Sequence, residues 1–172
     1  RRTPSWALHE NVNWKLATRT TRIKAASERP KQALPATTDD VLSACRFAHK
    51  TKPEVAFLLA VTWITFGRSG ALLQVRREDI DLRPIGNGDY EFTITIMRGK
   101  SNRLGQDPHT VTGRLGQFST FVAPLVLAQS DPKKFIVYAP SCRHRDVLRA
   151  AMKDSLRNAT GKLDLENRSL RR

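Results

Sequence analysis

The sequence predicts a mainly α domain with a small antiparallel β-sheet, and three observations carry that expectation. Val55 to Ile64 is apolar nearly all round, which marks a helix buried on every side. Phe92, Ile94 and Ile96 alternate with Thr93, Thr95 and Met97, the period of a half-buried strand. Asp146 to Asn158 sets Val147, Leu148, Ala151, Met152 and Leu156 on one face of an amphipathic helix.

The remaining elements follow in chain order. Residues 5–26 read as a helix in which Leu8, Val12, Leu16 and Ile23 fall near one face. Lys15, Arg19 and Arg22 make a basic stripe on another face, readable as solvated surface or as phosphate contact. Ser27 to Pro35 is polar, contains Pro30 and Pro35, and reads as a linker. Thr37 and Thr38 are good N-caps, with Asp39 and Asp40 in the first turn where the helix dipole favours acids. Val41, Leu42, Cys45 and Ala48 give that helix its apolar stripe, and Pro53 opens the buried helix after it.

Beyond Arg77 the period changes. Asp81 to Asp89, with Pro84 and the Gly86-Asn87-Gly88 cluster, reads as a turn. Gly99 ends the central strand, Lys100 to Pro108 reads as a polar loop, and a short second strand is expected around Thr110 to Thr112. Leu115 to Gln129 reads as a helix despite Pro124, and Phe135 to Tyr138 as a short extended piece. Ser141 is a candidate cap for the last helix, and Gly161 its terminator.

A chain of 172 residues suffices for one good core, or for one domain plus an appendage. Lys and Arg number 30 against 16 Asp and Glu, a formal net charge of +14. Such an excess calls for a polyanionic partner, and nucleic acid is the leading one. No apolar run approaches the length that spans a membrane. Charge alone does not choose between DNA and RNA.

Cys45 and Cys142 lie far apart without metal-ligand spacing, and both are expected as buried thiols of a reducing, intracellular compartment. His9, His49, His109 and His144 make no metal pattern. Cys142-Arg143-His144-Arg145 offers too few ligands for zinc and reads as a basic turn at a helix start. No metal or cofactor is expected. Trp6, Trp14 and Trp63 are too dispersed to stack bases, and they read as packing residues, as do Tyr90 and Tyr138. No signal peptide is visible. The chain opens on Arg1 and closes on Arg171-Arg172, so both ends read as cuts in a longer polypeptide.

Breaking a phosphodiester without metal needs cations on the non-bridging oxygens, a proton donor for the leaving oxygen, and a nucleophile. Arginine suits the first role, because its planar fork meets two phosphate oxygens and stays charged. Lysine suits the second, because desolvation beside other cations lowers its pKa. Arg68 follows the buried helix between Gly67 and Gly70, Lys100 follows a strand, and Arg168 and Arg171 lie at the end. Taken singly, each reads as helix-end, hairpin or surface charge.

Their order resembles the catalytic domain of tyrosine recombinases of the phage-integrase type. Those domains carry an arginine in a Thr-Gly-x-Arg-like turn after a buried helix, then a Leu-x-x-x-Asp-Ile segment, a hairpin lysine and a His-x-Leu-Arg motif. Thr65 to Arg68, Val75 to Ile80, Lys100 and Arg168-Ser169-Leu170-Arg171 resemble these in turn. The resemblance covers residues 31–172, entered through a linker-like Lys31 to Thr37, with residues 1–30 as the tail of a preceding core-binding domain. The wording of Gly67 to Gly70 and of Arg168 to Arg172 is closer to recombinases of eukaryotic mobile elements.

The resemblance implies that Arg68 and Arg171 clamp the scissile phosphate, with Arg168 beside them, and that Lys100 is the general acid. It implies double-stranded DNA as partner, self-association in a synapse, and location with DNA, in the nucleus if the source is eukaryotic. Arg76, Arg98, Arg103, Arg143 and Arg145, with Lys15, Arg19 and Arg22, are the further DNA-contacting candidates. Two departures stand out. Ala71 replaces an acidic residue that supports the first arginine, and Arg168 replaces a histidine. The later His/Trp box and the nucleophilic tyrosine would fall beyond Arg172, so the 172-residue chain is expected to be inactive in covalent cleavage. A type IB topoisomerase shares the same logic with a longer linker. The alternatives are a catalytically retired DNA-binding descendant and a basic RNA-binding protein.

Overall fold

The computed structural model describes residues 35–97 and 108–170, the side chain of Arg168 excepted. Helix α1 (Thr38–His49) starts where the sequence places its caps. Thr37 Oγ1 accepts from the Asp40 N–H at 3.2 Å, and Asp40 Oδ2 accepts from the Thr37 N–H at 3.0 Å. Lys162 Nζ donates to both Asp40 oxygens, at 2.8 and 2.9 Å, and so ties the C-terminal region to this cap.

Helix α2 (Pro53–Thr65) takes Pro53 at its first turn, where no N–H is needed. Every residue from Val55 to Val61 is at most 1% exposed, so no side of the helix meets water. Around it pack α1, α4 (Ser119–Ala128) and α5 (Cys142–Thr160), with the four-residue α3 (Ser69–Leu72) at its exit. Val41, Leu42, Cys45 and Ala48 all turn inward from α1, as their spacing requires. Burial pushes the Cys45 thiol up to about 12, and its Sγ donates to the Ala56 carbonyl at 3.5 Å.

The sheet has three antiparallel strands in the order β1 (Ile80–Gly86), β2 (Asp89–Ile96), β3 (His109–Arg114). Phe92, Ile94 and Ile96 face the core from β2, which also contacts α4. The other face of β2 and β3 carries hydroxyls paired across strands, Thr93 with Thr112 at 3.0 Å and Thr95 with Thr110 at 3.3 Å. Asp89 joins the sheet to α4: its carboxylate accepts from the N–H groups of Tyr90 and Gly116, both at 2.7 Å, from Ser119 Oγ at 3.0 Å and from Arg114 Nη2 at 3.1 Å.

The coarse expectation of a helical domain with a small antiparallel sheet is met, with five α-helices among the described residues. Several finer expectations are corrected. The stretch read as a turn over Asp81 to Asp89 is mostly strand β1, and only Asn87-Gly88 turns, both at positive φ of 54° and 73°. Pro84 misled the reading, because β1 is an edge strand where proline costs no ladder bond. Strand β3 is twice the length expected. The helix read from Leu115 begins as a 3₁₀ turn (Gly116–Phe118), and α4 keeps Pro124 on its exposed side, where the freed carbonyl meets water.

Ser141 caps α5 by accepting from the His144 N–H at 3.2 Å, and Gly161 ends it at φ 69°. The helix therefore begins at Cys142, four residues before the predicted amphipathic stretch. Cys142 is exposed, not buried, because it occupies the first turn of a surface helix. Val147 is 52% exposed and lies off the apolar face, which Met152 and Leu156 anchor. Tyr138, read as a packing residue, is 75% exposed, whereas Tyr90 packs on the core as expected. The predicted helix over residues 5–26, the linker down to Leu34, and Trp6 and Trp14 lie outside the described residues.

Two stability predictions follow from the core and its cap. Thr62 is 1% exposed and its hydroxyl has no hydrogen-bond partner among the described residues. Thr62→Val removes that unsatisfied group at constant shape and should raise unfolding stability by about 1 kcal/mol in urea titrations. Asp40→Asn should lower stability at pH 7 by about 1–2 kcal/mol, since it discharges a nearly buried acceptor of Lys162 and Thr37. Burial alone would raise the Asp40 pKa, but the Lys162 and Thr37 hydrogen bonds outweigh it and hold the carboxyl below its ordinary 3.8. Its contribution is therefore full above pH 3.8 and is lost as pH falls through the lowered value. Unfolding midpoints of the two proteins should converge in that acidic range.

Candidate nucleic-acid interface

The exit of α2 is built around one hydroxyl. Thr65 Oγ1 donates to the Val61 carbonyl at 2.7 Å and accepts from the Gly67 N–H at 3.1 Å. Between them Phe66 is forced to a left-handed φ of 51°, unusual for an aromatic residue. Its ring meets Trp63 edge-on, with centroids 6.2 Å apart, which offsets part of that cost. Gly67 follows because nothing larger fits: a Cβ there would stand 2.7 Å from Thr65 Oγ1.

Arg68 comes next in extended conformation and starts α3, its carbonyl accepting from Ala71 N at 2.8 Å and Leu72 N at 3.2 Å. Ser69, Leu72 and Leu73 are buried and anchor the turn from below. The backbone of Arg68 is thus fixed on both sides while its side chain is exposed. Among the described residues that guanidinium makes no hydrogen bond or ion pair. An exposed guanidinium on a fixed backbone at the edge of a core is available to meet an anion. Ala71 is half-buried against the core and offers it no carboxylate.

A second arginine meets this turn. The space where a Gly70 side chain would stand is taken by Arg149 of α5, whose Nη2 lies 2.8 Å from the ideal Cβ position. Arg149 Nη1 donates to Asp146 Oδ1 at 3.1 Å, and the Arg149 carbonyl accepts from Asn167 Nδ2 at 2.9 Å. Asn167 opens the 3₁₀ turn Asn167–Leu170, where Ser169 and Leu170 are buried and the Ser169 carbonyl accepts from Ala36 N at 3.1 Å. The Arg68 turn and the segment around Arg168 are thereby linked through one residue that the sequence reading passed over. Gly70 and the i, i+4, i+8 series Arg145, Arg149, Lys153 are visible in the sequence, but nothing local says that they meet.

The other candidates sort as follows. Arg76 is exposed, pairs with Glu78 Oε1 at 3.3 Å and lies over the Phe135 ring at 5.6 Å. Arg143 is exposed, and Arg145 Nη2 donates to Cys142 Sγ at 2.9 Å, both in the first turn of α5. That turn holds no acidic residue, so these cations add to the positive end of the helix dipole. Arg168 has its backbone in the last 3₁₀ turn. Lys15, Arg19, Arg22, Arg98, Lys100, Arg103 and Arg171 lie outside the described residues. Among the described residues no His, Cys, Asp and Glu cluster could hold a metal ion, and no helix is long and apolar enough to cross a membrane.

Gly67→Ala should lower stability by about 1–3 kcal/mol, because Thr65 Oγ1 is pinned and cannot retreat. The penalty should shrink in a Thr65→Ala background, a coupling that a double-mutant cycle in urea measures. No protein-family model matches the chain, and no curated protein is significantly similar to it.

Proposed function

We propose that this chain is a double-stranded-DNA-binding domain of tyrosine-recombinase type, with Arg68 at its phosphate-binding centre. The observation that carries the reading is Arg68 itself, exposed and without a partner among the described residues, on a backbone fixed by Thr65, Gly67 and the start of α3. The net charge of +14 supports a polyanionic partner, and the uncompensated first turn of α5 adds local positive potential. In a full-length parent, Arg68 and Arg171 clamp the scissile phosphate, Arg168 reinforces them, and Lys100 protonates the leaving oxygen. A tyrosine attacks to form the 3′-phosphotyrosyl bond, which a second DNA end reverses within a synapse.

The second reading is a descendant that binds DNA without cutting it. Ala71 favours it, because the residue beside Arg68 supplies no carboxylate to orient the guanidinium.

Duplex binding by the chain should weaken steeply with salt, and Arg68→Ala should flatten the log–log slope by about one. Equal or better binding to RNA, with no change on Arg68→Ala, would overturn the DNA reading. On nicked, site-containing DNA the 172-residue chain should give no covalent band on a denaturing gel, while the natural-length gene product should give one that Arg68→Ala abolishes. Salt-sensitive binding without that band selects the retired descendant.

A further inference from the structure

Gly70 is the least explained glycine of the turn. It has no positive φ, and among the described residues the atom close to its missing side chain is Arg149 Nη2. The notch therefore seats a guanidinium. Arg68 and Gly70 are two residues apart, so their Cα atoms are separated by at most about 7 Å. Arg149 reaches this place from α5 and is held there twice, by Asp146 on one edge of its fork and through its backbone by Asn167.

An ordinary i, i+3 pair with Asp146 would read as a solvated helix face, but such a pair needs no glycine on a different element. The arginine side chain stays 43% exposed. A guanidinium has five N–H donors, and one carboxylate oxygen accepts from Nη1 alone. Arg68 contributes a second fork with no acceptor at all among the described residues. With Asp146 pairing only Arg149, the two arginines keep surplus positive charge and several donors without an acceptor among the described residues. The complementary ligand is a polyoxyanion with closely spaced charges, and a nucleic-acid backbone is the repeating form of it.

We infer that Arg149, seated over Gly70, is a second phosphodiester-binding residue that holds the phosphate neighbouring the one at Arg68. The inference rests on the DNA reading above and adds a contact to it. Asp146 orients the guanidinium, and Gly70 leaves it room: a Cβ there would stand 2.8 Å from Nη2 and push the end of Arg149 aside.

The test uses the full chain and short duplexes carrying a single uncharged methylphosphonate, moved along the backbone. Arg149→Ala should weaken duplex binding about tenfold and flatten the salt slope by about one. It should also become insensitive to neutralisation of one phosphate, adjacent to the one to which Arg68→Ala becomes insensitive. Gly70→Ala keeps every charge and only displaces the tip of Arg149, so it should show a smaller loss at the same altered position, an effect that charge removal alone does not produce. If Arg149→Ala is poorly folded by circular dichroism, Gly70→Ala and Arg149→Gln carry the measurement. Wild-type affinity and an unchanged methylphosphonate profile in Gly70→Ala and the Arg149 variants, with Arg68→Ala impaired, would overturn this inference and leave the DNA reading standing. A wild-type chain without salt-dependent duplex binding would overturn both.

Discussion

The whole domain is organised by the need to cover α2. A helix whose residues from Val55 to Val61 are essentially inaccessible cannot lie on a surface, so α1, α4 and α5 are recruited to its sides. Helices α1 and α5 leave a polar side outward, whereas α4 turns Thr120, Pro124 and Leu127 to the surface. A helix buried this completely also has a fixed end. Thr65 closes the last turn by bonding back to Val61, and the chain can leave only through the left-handed Phe66 and the side-chain-free Gly67. The position of Arg68 is thus set by core packing and by the backbone bonds that its carbonyl accepts at the start of α3.

The same economy applies to the C-terminal segment. Leu165 and Leu170 are fully buried, Ser169 bonds to Ala36, and Asn167 bonds to the backbone of α5. Lys162 meanwhile satisfies Asp40 at the opposite cap. The Ser169–Ala36 and Lys162–Asp40 bonds bring residues more than a hundred positions apart against one another. Acidic residues are few near the start of α5: Asp146 pairs with Arg149, and among the described residues no acid pairs with Arg143 or Arg145. Cations at a helix N-terminus are locally unfavourable, which is tolerable where an anionic ligand is the partner.

Elements with strong periodicity were legible from sequence alone. The α1 stripe, the all-round apolarity of α2, the alternation in β2 and the Ser141 and Gly161 ends of α5 each reflect a local rule that the fold obeys. Strand β1 was not legible, because an edge strand buries little and tolerates Pro84, so its residues carry a turn's composition. The exposure of Tyr138 and Val147 was hidden for a related reason: single apolar residues on a surface look the same in sequence as core residues. Arg68 was legible as a candidate from its neighbours. Arg149 was not, since its meeting with Gly70 depends on how α5 crosses the exit of α2, which no local pattern encodes.

Ala71 bears most directly on how Arg68 works. A carboxylate at that position would hold the guanidinium in one orientation before any ligand arrives. Without one, the backbone of Arg68 is fixed but its side chain keeps its rotamer freedom, worth roughly 2 kcal/mol when lost. A phosphate must supply that ordering on binding, so part of the contact energy is consumed in the ground state. Transition-state stabilisation depends on donors that are oriented beforehand. Binding tolerates the loss of such orientation better than catalysis does, because a flexible arginine still neutralises charge. The seating of Arg149 over Gly70, with Asp146 on its other edge, gives the surface one guanidinium that is oriented in advance. On the DNA reading proposed above, such an arrangement would suit grip on a backbone better than acceleration of its cleavage, which is what a retired descendant would retain.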